Sequence, residues 1–217
     1  MTSTPSLGAE PGRRPPSGIR VTTPPGWWDL PLDPVTRKDD IVSLVDRRLD
    51  PDDAAERTAV IEMLEQAAAT AHAAGAVLAS QFGVVGAGVE FAANMVVALR
   101  RVASGDRATL AEQVAELGRG STEGTTETRV EVETVHLHGL GDVTRRRCDR
   151  RVRLSPDASL TVVCVQYFAP VPGSPAVGIV TFTSPTLSAR GELCALFDAV
   201  ASTLEFDYKD IGPDRCA

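Results

Sequence analysis

Two histidines two residues apart, His136 and His138 in the segment HLH, are the first residues of this sequence equipped for chemistry. At a strand end both imidazoles can face one side, with Asp142 within loop reach as a third metal ligand. Zinc sites want three or four such donors, and no further His or Cys lies near. The simpler reading is two surface histidines beside a turn, with no metal and no cofactor expected. His72 falls in an alanine-rich segment and reads as a helical residue.

The run RRRCDRRVRL carries six arginines between 145 and 153. Strand alternation puts Arg145, Arg147, Arg151 and Arg153 on one face with Asp149. Arg146 and Arg150 take the other face with Cys148, Val152 and Leu154, which suggests a strand end, a bulge or an incomplete cover there. A stripe of guanidinium groups binds phosphates or an acidic partner, so Arg147 and Arg151 are candidate partner-binding residues. The competing arrangement is a solvated sheet face on which these arginines pair across strands with Glu131 and Glu133. A net charge of −7 favours the ion pairs and speaks against a general grip on nucleic acid or an anionic membrane. The absence of interleaved aromatics weakens single-strand nucleic-acid binding further.

Nucleophilic catalysis is not indicated. The four cysteines are widely spaced without a CxxC pair, and no GxSxG segment occurs. Cys148, Cys164 and Cys194 fall in apolar segments and read as small core residues. The segments GVVGAG (83–88) and GLG (139–141) read as turns, since neither matches a phosphate-binding loop. The expectation is a protein that is not an enzyme.

Both tryptophans, Trp27 and Trp28, sit side by side in PPGWWDLPL. On a strand, Trp28, Leu30 and Leu32 share one face and Trp27 the other. One indole enters a core on one side. Its neighbour needs a helix, the N-terminal tail or another molecule on the opposite side. An exposed tryptophan would mark a partner site, so both are candidate partner-binding residues.

The elements that hold these groups follow from periodicity. Residues 1–24 are proline-rich and poor in large apolar groups, which predicts a disordered tail. Residues 25–208 form a single domain, and 209–217 a flexible tail. After the WW strand, Ile41, Leu44, Val45 and Leu49 mark one helix, and Ile61, Leu64, Ala68 and Ala71 a second one stopped at Gly75. The apolar run 75–99 invites a membrane-spanning reading, but Gln81, Glu90, Asn94 and four glycines favour a hairpin. A helix over about 106–118, a loop over 118–127, four strands between 128 and 185, and a helix over 186–203 complete the chain. The strand LTVVCVQYFAP is apolar on both faces and should be covered on both sides. The predicted class is α+β: a mainly antiparallel sheet of about six to seven strands with helices packed on its faces. No signal-peptide pattern opens the sequence, and few cysteines occur, so a cytoplasmic location is expected.

The segments PPGWWDLPL, YFAPVPGSPAVGIVTFTSP and LCALFDAVASTLEFDY resemble a group of small actinobacterial proteins of the Mog1/PsbP-like (LpqN-type) superfamily. The resemblance spans about residues 24–208, and the tryptophan that follows Pro-Gly in that group corresponds to Trp27. It implies a Mog1/PsbP-like fold and assigns no catalytic residue. Members of the superfamily mostly bind other proteins, including adaptor chaperones of secretion systems. What it implies here is a non-catalytic interaction module, an adaptor, chaperone or accessory factor of a secretion or envelope system, whose partner is another protein. The alternative is a small-molecule- or metal-binding enzyme or sensor using the His136/His138 region and the Arg145–Arg153 strand.

Overall fold

The computed structural model describes residues 18–48, 54–83, 91–101, 124–153, 155–172, 174 and 176–207. Among the described residues, nine strands and three α-helices follow in chain order: β1 (Gly18–Arg20), β2 (Trp27–Asp29), α1 (Arg37–Arg48), α2 (Ala54–Ala73), β3 (Ala76–Phe82), β4 (Ala93–Arg101), β5 (Thr125–Leu137), β6 (Gly141–Arg153), β7 (Ser159–Pro170), β8 (Ala176–Ser184), α3 (Arg190–Ala201) and β9 (Glu205–Asp207). The fold is α+β, as the pattern of segments predicts. Seven strands form one sheet in the order β2-β3-β4-β8-β7-β6-β5. Every neighbouring pair is antiparallel. The helix expected over 106–118, residues 84–88 of the turn expected at 83–88, and the tail 209–217 lie outside the described residues.

A turn explains why two prolines and a glycine precede the tryptophans. The Trp27 amide donates to the Pro24 carbonyl at 3.4 Å, and Gly26 has φ +95°. Proline second and a positive-φ glycine third is the type II combination. A Cβ on Gly26 would also lie 2.8 Å from the Phe82 ring. The turn delivers Trp27 opposite Phe82 and Trp28 opposite Gln81 on β3.

Alternation then sends the indoles to different cores. Trp27 joins Met95, Val97, Val165, Tyr167, Phe182 and the α3 residues Leu193 and Phe197. Its ring meets Phe182 edge-on at 6.4 Å, and Phe182 stacks on Phe197 at 4.7 Å. Trp28 joins Leu30, Ile41, Val45, Leu64, Ala68 and Ala79 beneath α1 and α2. Trp27 is 7% and Trp28 8% exposed. Neither indole is therefore the exposed docking residue considered from the sequence: α3 covers one and α1–α2 the other. α2 ends as expected, with the Gly75 amide bonded to the His72 carbonyl at 2.8 Å and Gly75 at φ +79°.

The structure corrects the tail boundary. Gly18–Arg20, read as part of a disordered segment, pairs with Glu205–Asp207 in a separate two-stranded sheet. Ile19 and Phe206 pack from this ribbon onto the Trp27 core, and Arg20 pairs with Asp207 at 2.8 Å. Two apolar residues, Ile19 and Val21, packed on the core beside the ladder, order a stretch whose composition reads as tail. The last helix also starts later than expected, with a 3₁₀ turn over Leu187–Ala189 before it. No helix among the described residues is long and apolar enough to cross a membrane, and 76–82 and 93–101 are strands, as the hairpin reading requires.

With both indoles buried, Trp27→Ala and Trp28→Ala each lower stability by about 3–5 kcal/mol in urea unfolding. An exposed tryptophan would give a change within about 0.5 kcal/mol.

Candidate functional site

β6 bears the arginine run, and the register of its neighbours decides what each guanidinium meets. On the α3 side, Arg145 lies opposite Glu133 and Arg147 opposite Glu131 on β5. Arg147 bridges Glu131 and Glu133, each at 2.9 Å. Arg145 bonds Glu133 at 3.0 Å and also the Asp198 carboxylate of α3. Asp198 accepts a second bond from the buried Tyr167 hydroxyl. Burial and that carboxylate push the Tyr167 hydroxyl far above the ordinary tyrosine range. Farther along, Asp149 is buried and takes Arg190, at the start of α3, at 2.8 Å. The cross-strand pairing with Glu131 and Glu133 thus forms, and it extends through Asp198 and Asp149 to tie β6 to α3.

The opposite face of β6 departs from expectation. Arg146 is 1% exposed, although an uncovered or bulged position was expected. Its guanidinium is matched by Glu127 of β5, and Arg150 reaches the same carboxylate at 2.9 Å. Arg146 Nη1 also donates to Gln166 Oε1 at 3.2 Å and to Cys148 Sγ at 3.4 Å. The match depends on a bulge in β5. Thr128 pairs with Asp149 and Glu131 with Arg147, so β5 spends three steps where β6 spends two. Arg129, inside the bulge, has φ +53°. The extra residue reverses the parity of the strand and turns Glu127 to the face opposite Glu131. The valines flanking the bulge fail to turn inward: Val130 and Val132 are exposed.

The remaining candidates are dispersed. Arg151 donates to Ser159 at 2.8 Å. With Arg153, Thr125, Thr126 and Ser159 it lines a polar hollow of about 520 Å³ at one end of the sheet. His136 Nδ1 lies 2.8 Å from Asp142 Oδ1, both side chains exposed across the β5–β6 hairpin, and His138 is exposed in the turn. By alternation His136 shares the face of Arg146, not that of Arg147 and Arg151. The histidines and the odd-numbered arginines therefore do not converge. Among the described residues no group of three His, Cys, Asp or Glu side chains could hold a metal ion.

A second concavity was not anticipated from the sequence. A groove of about 500 Å³ runs between α2 and the strands β3–β4. Leu30, Met63, Ala67, Ala71, Ala79 and Val96 give it an apolar floor, and Gln66, Thr70, Gln81 and Asn94 a neutral polar rim. Met63 is 47% exposed. The small side chains of the sequence ATAHAA are the signal that could have revealed it: alanine on the sheet-facing stripe of α2 leaves the gap unfilled.

The Glu127 cluster fixes a pH response. Burial alone would raise this carboxyl, but the bonds and charges of Arg146 and Arg150 outweigh it and hold the group below the ordinary value of 4.5. The unfolded chain, lacking the arginines, takes up the proton first as the pH falls. The stabilisation from Glu127 is complete above pH 4.5 and is lost as the pH drops through the lower, folded value. Glu127→Gln should reduce stability at pH 7 and make the fall of stability below pH 4.5 shallower than in the parent chain. Urea midpoints measured between pH 7 and pH 3 read both effects.

No protein-family profile matches this sequence, and no curated protein matches it. Among solved structures, a similar chain is described as LpqN involved in cell envelope biogenesis of Mycobacterium tuberculosis. The likeness covers 90% of this chain and 87% of that one, at 10% sequence identity and a TM-score of 0.47.

Proposed function

We propose that this chain is a non-catalytic protein-interaction module of the Mog1/PsbP-like kind, working in the cytoplasm as an adaptor, chaperone or accessory factor. The observation that carries the reading is the groove between α2 and β3–β4. Its floor is apolar, its rim is neutral, and its wall is one stripe of a helix. Such a surface fits an amphipathic segment that lays apolar residues at helical spacing into it. Of the six β6 arginines, Arg145, Arg146, Arg147 and Arg150 are held by carboxylates of this same chain, which removes most of the donors an acidic or nucleic-acid partner would need. The described cysteines Cys148, Cys164 and Cys194 are free thiols, in keeping with a reducing compartment.

A second reading, binding of a small anion, is favoured by the hollow that Arg151 and Arg153 line. Titration with inorganic phosphate, followed by backbone amide shifts of Thr125, Thr126 and Ser159, tests it. Shifts absent from Arg151→Ala/Arg153→Ala support it, and an unresponsive hollow rejects it.

For the main reading, the chain is captured from native lysate with its partner, the partner is identified by mass, and its affinity is measured. Met63→Glu and Ala67→Arg should each weaken binding at least about tenfold, the loss of ~1.4 kcal/mol expected from a charge set into an apolar contact. Val35→Glu, at a site 87% exposed and outside the groove, should leave binding unchanged. A partner held equally by all three variants rules out the groove as its seat.

A further inference from the structure

Cys148 and Cys164 occupy directly opposed positions on the interior strands β6 and β7. Both are free thiols with no exposed surface. Directly opposed residues of an antiparallel pair share a face of the sheet, with Cα atoms about 4.5–5.5 Å apart. That separation lies inside the Cα range a disulfide spans, about 4.4–6.8 Å, so the register places the two thiols within bridging distance. Their surroundings are polar as well as buried. Arg146 Nη1 donates to Cys148 Sγ at 3.4 Å, and Arg150, Glu127 and Gln166 complete the cluster. Cys194 sits elsewhere, on α3 under the Trp27 core.

We propose that Cys148 and Cys164 form a redox-active dithiol that closes to an intrachain disulfide, with a hydroperoxide as the oxidant. In the first step the Cys148 thiolate attacks the peroxide. An S–O bond forms, the O–O bond breaks, and with hydrogen peroxide the hydroxide released takes up a proton as water. In the second step the Cys164 thiolate attacks the sulfur of the Cys148 sulfenic acid. The S–S bond forms, the S–O bond breaks, and a second water leaves with the proton that Cys164 gave up. Two thiols are oxidised by two electrons and one peroxide is reduced to two waters.

The local electrostatics assign the order of attack. The bond from Cys164 and the charge of Arg146 together overcome burial and hold Cys148 below the ordinary thiol range. That same contact, with burial, pushes Cys164 well above it. The geometry points the same way: Arg146 Nη1 donates to Cys148 Sγ at 3.4 Å, a cation placed to stabilise its thiolate, so Cys148 is the thiol that meets the oxidant. Burial slows the reaction, which then proceeds through local openings of the sheet.

The test uses the full chain with Cys216→Ser, which removes a thiol one residue from the end of the sequence. The folded protein is incubated with hydrogen peroxide, quenched in acid, alkylated in denaturant, digested and mapped by mass. The expected result is one linked peptide pair containing Cys148 and Cys164, about 2 Da lighter than the two thiol peptides, and restored to two thiols by dithiothreitol. In Cys164→Ser the sulfenic acid should persist on Cys148 and be trapped by dimedone. In Cys148→Ser no dimedone adduct should form on Cys164. Recovery of both residues as alkylated thiols, or as separate sulfinic acids with no linked peptide, overturns the proposal. A dimedone adduct on Cys164 alone overturns the assigned order. The linked peptide is read in a chain with both residues intact, so the outcome stands whether or not either single variant folds.

Discussion

A guanidinium sealed inside a protein must have a carboxylate, because an unpaired buried charge costs several kcal/mol. Arg146 is sealed in this way, at the middle of an interior strand. The carboxylate that answers it comes from β5, and it arrives only because that strand contains one residue too many. Without the bulge after Thr128, Glu127 would share the face of Glu131 and Glu133, and Arg146 and Arg150 would have no partner from β5. With it, the acidic residues of one strand are divided between the two faces of the sheet in the proportion that β6 requires. The cost is modest: a non-glycine residue at φ +53° costs roughly 1–2 kcal/mol.

The same pairs set the register of β5. This strand is polar and exposed on most of its length, so apolar burial specifies its alignment weakly. Ion pairs take over that task. Glu127 meets Arg146 and Arg150 on one face, while Glu131 and Glu133 meet Arg147 and Arg145 on the other. A slip by one residue would reverse every face and leave Arg146 buried without a counter-charge. Buried ion pairs are poor stabilisers relative to apolar packing, but a single one in a fixed place discriminates strongly between alignments.

How far the sequence discloses this depends on which rule governs each residue. Period-two alternation placed Trp27 and Trp28 on opposite faces, and the helical stripes Ile41-Leu44-Val45 and Leu64-Ala68-Ala71 are buried as their spacing requires. The exchange between Glu131–Glu133 and the odd-numbered arginines was legible for the same reason. What was not legible arises where one residue breaks the period. Nothing in TTETRVEVET announces that Arg129 will adopt a left-handed conformation, and strict alternation then misplaces Glu127 and turns Val130 and Val132 inward. Asp198 and Tyr167 escaped notice because their meeting with Arg145 depends on how α3 lies across the sheet, a tertiary fact. The β1–β9 ribbon joins residues 187 apart in the chain, and short ladders of that span leave no local pattern. The groove beside α2 was hidden because alanine reads equally well as tight packing and as an unfilled space.

These features also bear on where a partner would sit. A sheet edge is the usual place for a guest strand to add, and among the described strands β5 is the long edge of this sheet. Its middle, however, is bulged and lined with Glu127, Glu131 and Glu133, two devices that keep an edge from acquiring a neighbour. The other edge, β2, is only three residues long and lies against the α1–α2 layer. Strand addition is thus disfavoured at both ends of the sheet. The groove beside α2 needs no backbone pairing, contains no charge to be desolvated, and is bounded by a helix already held in place by Leu64 and Ala68 in the core beneath it. An apolar helical segment entering it would extend the layer that α1 and α2 begin, and this continuity with the existing packing makes the groove a better seat for a partner than either edge.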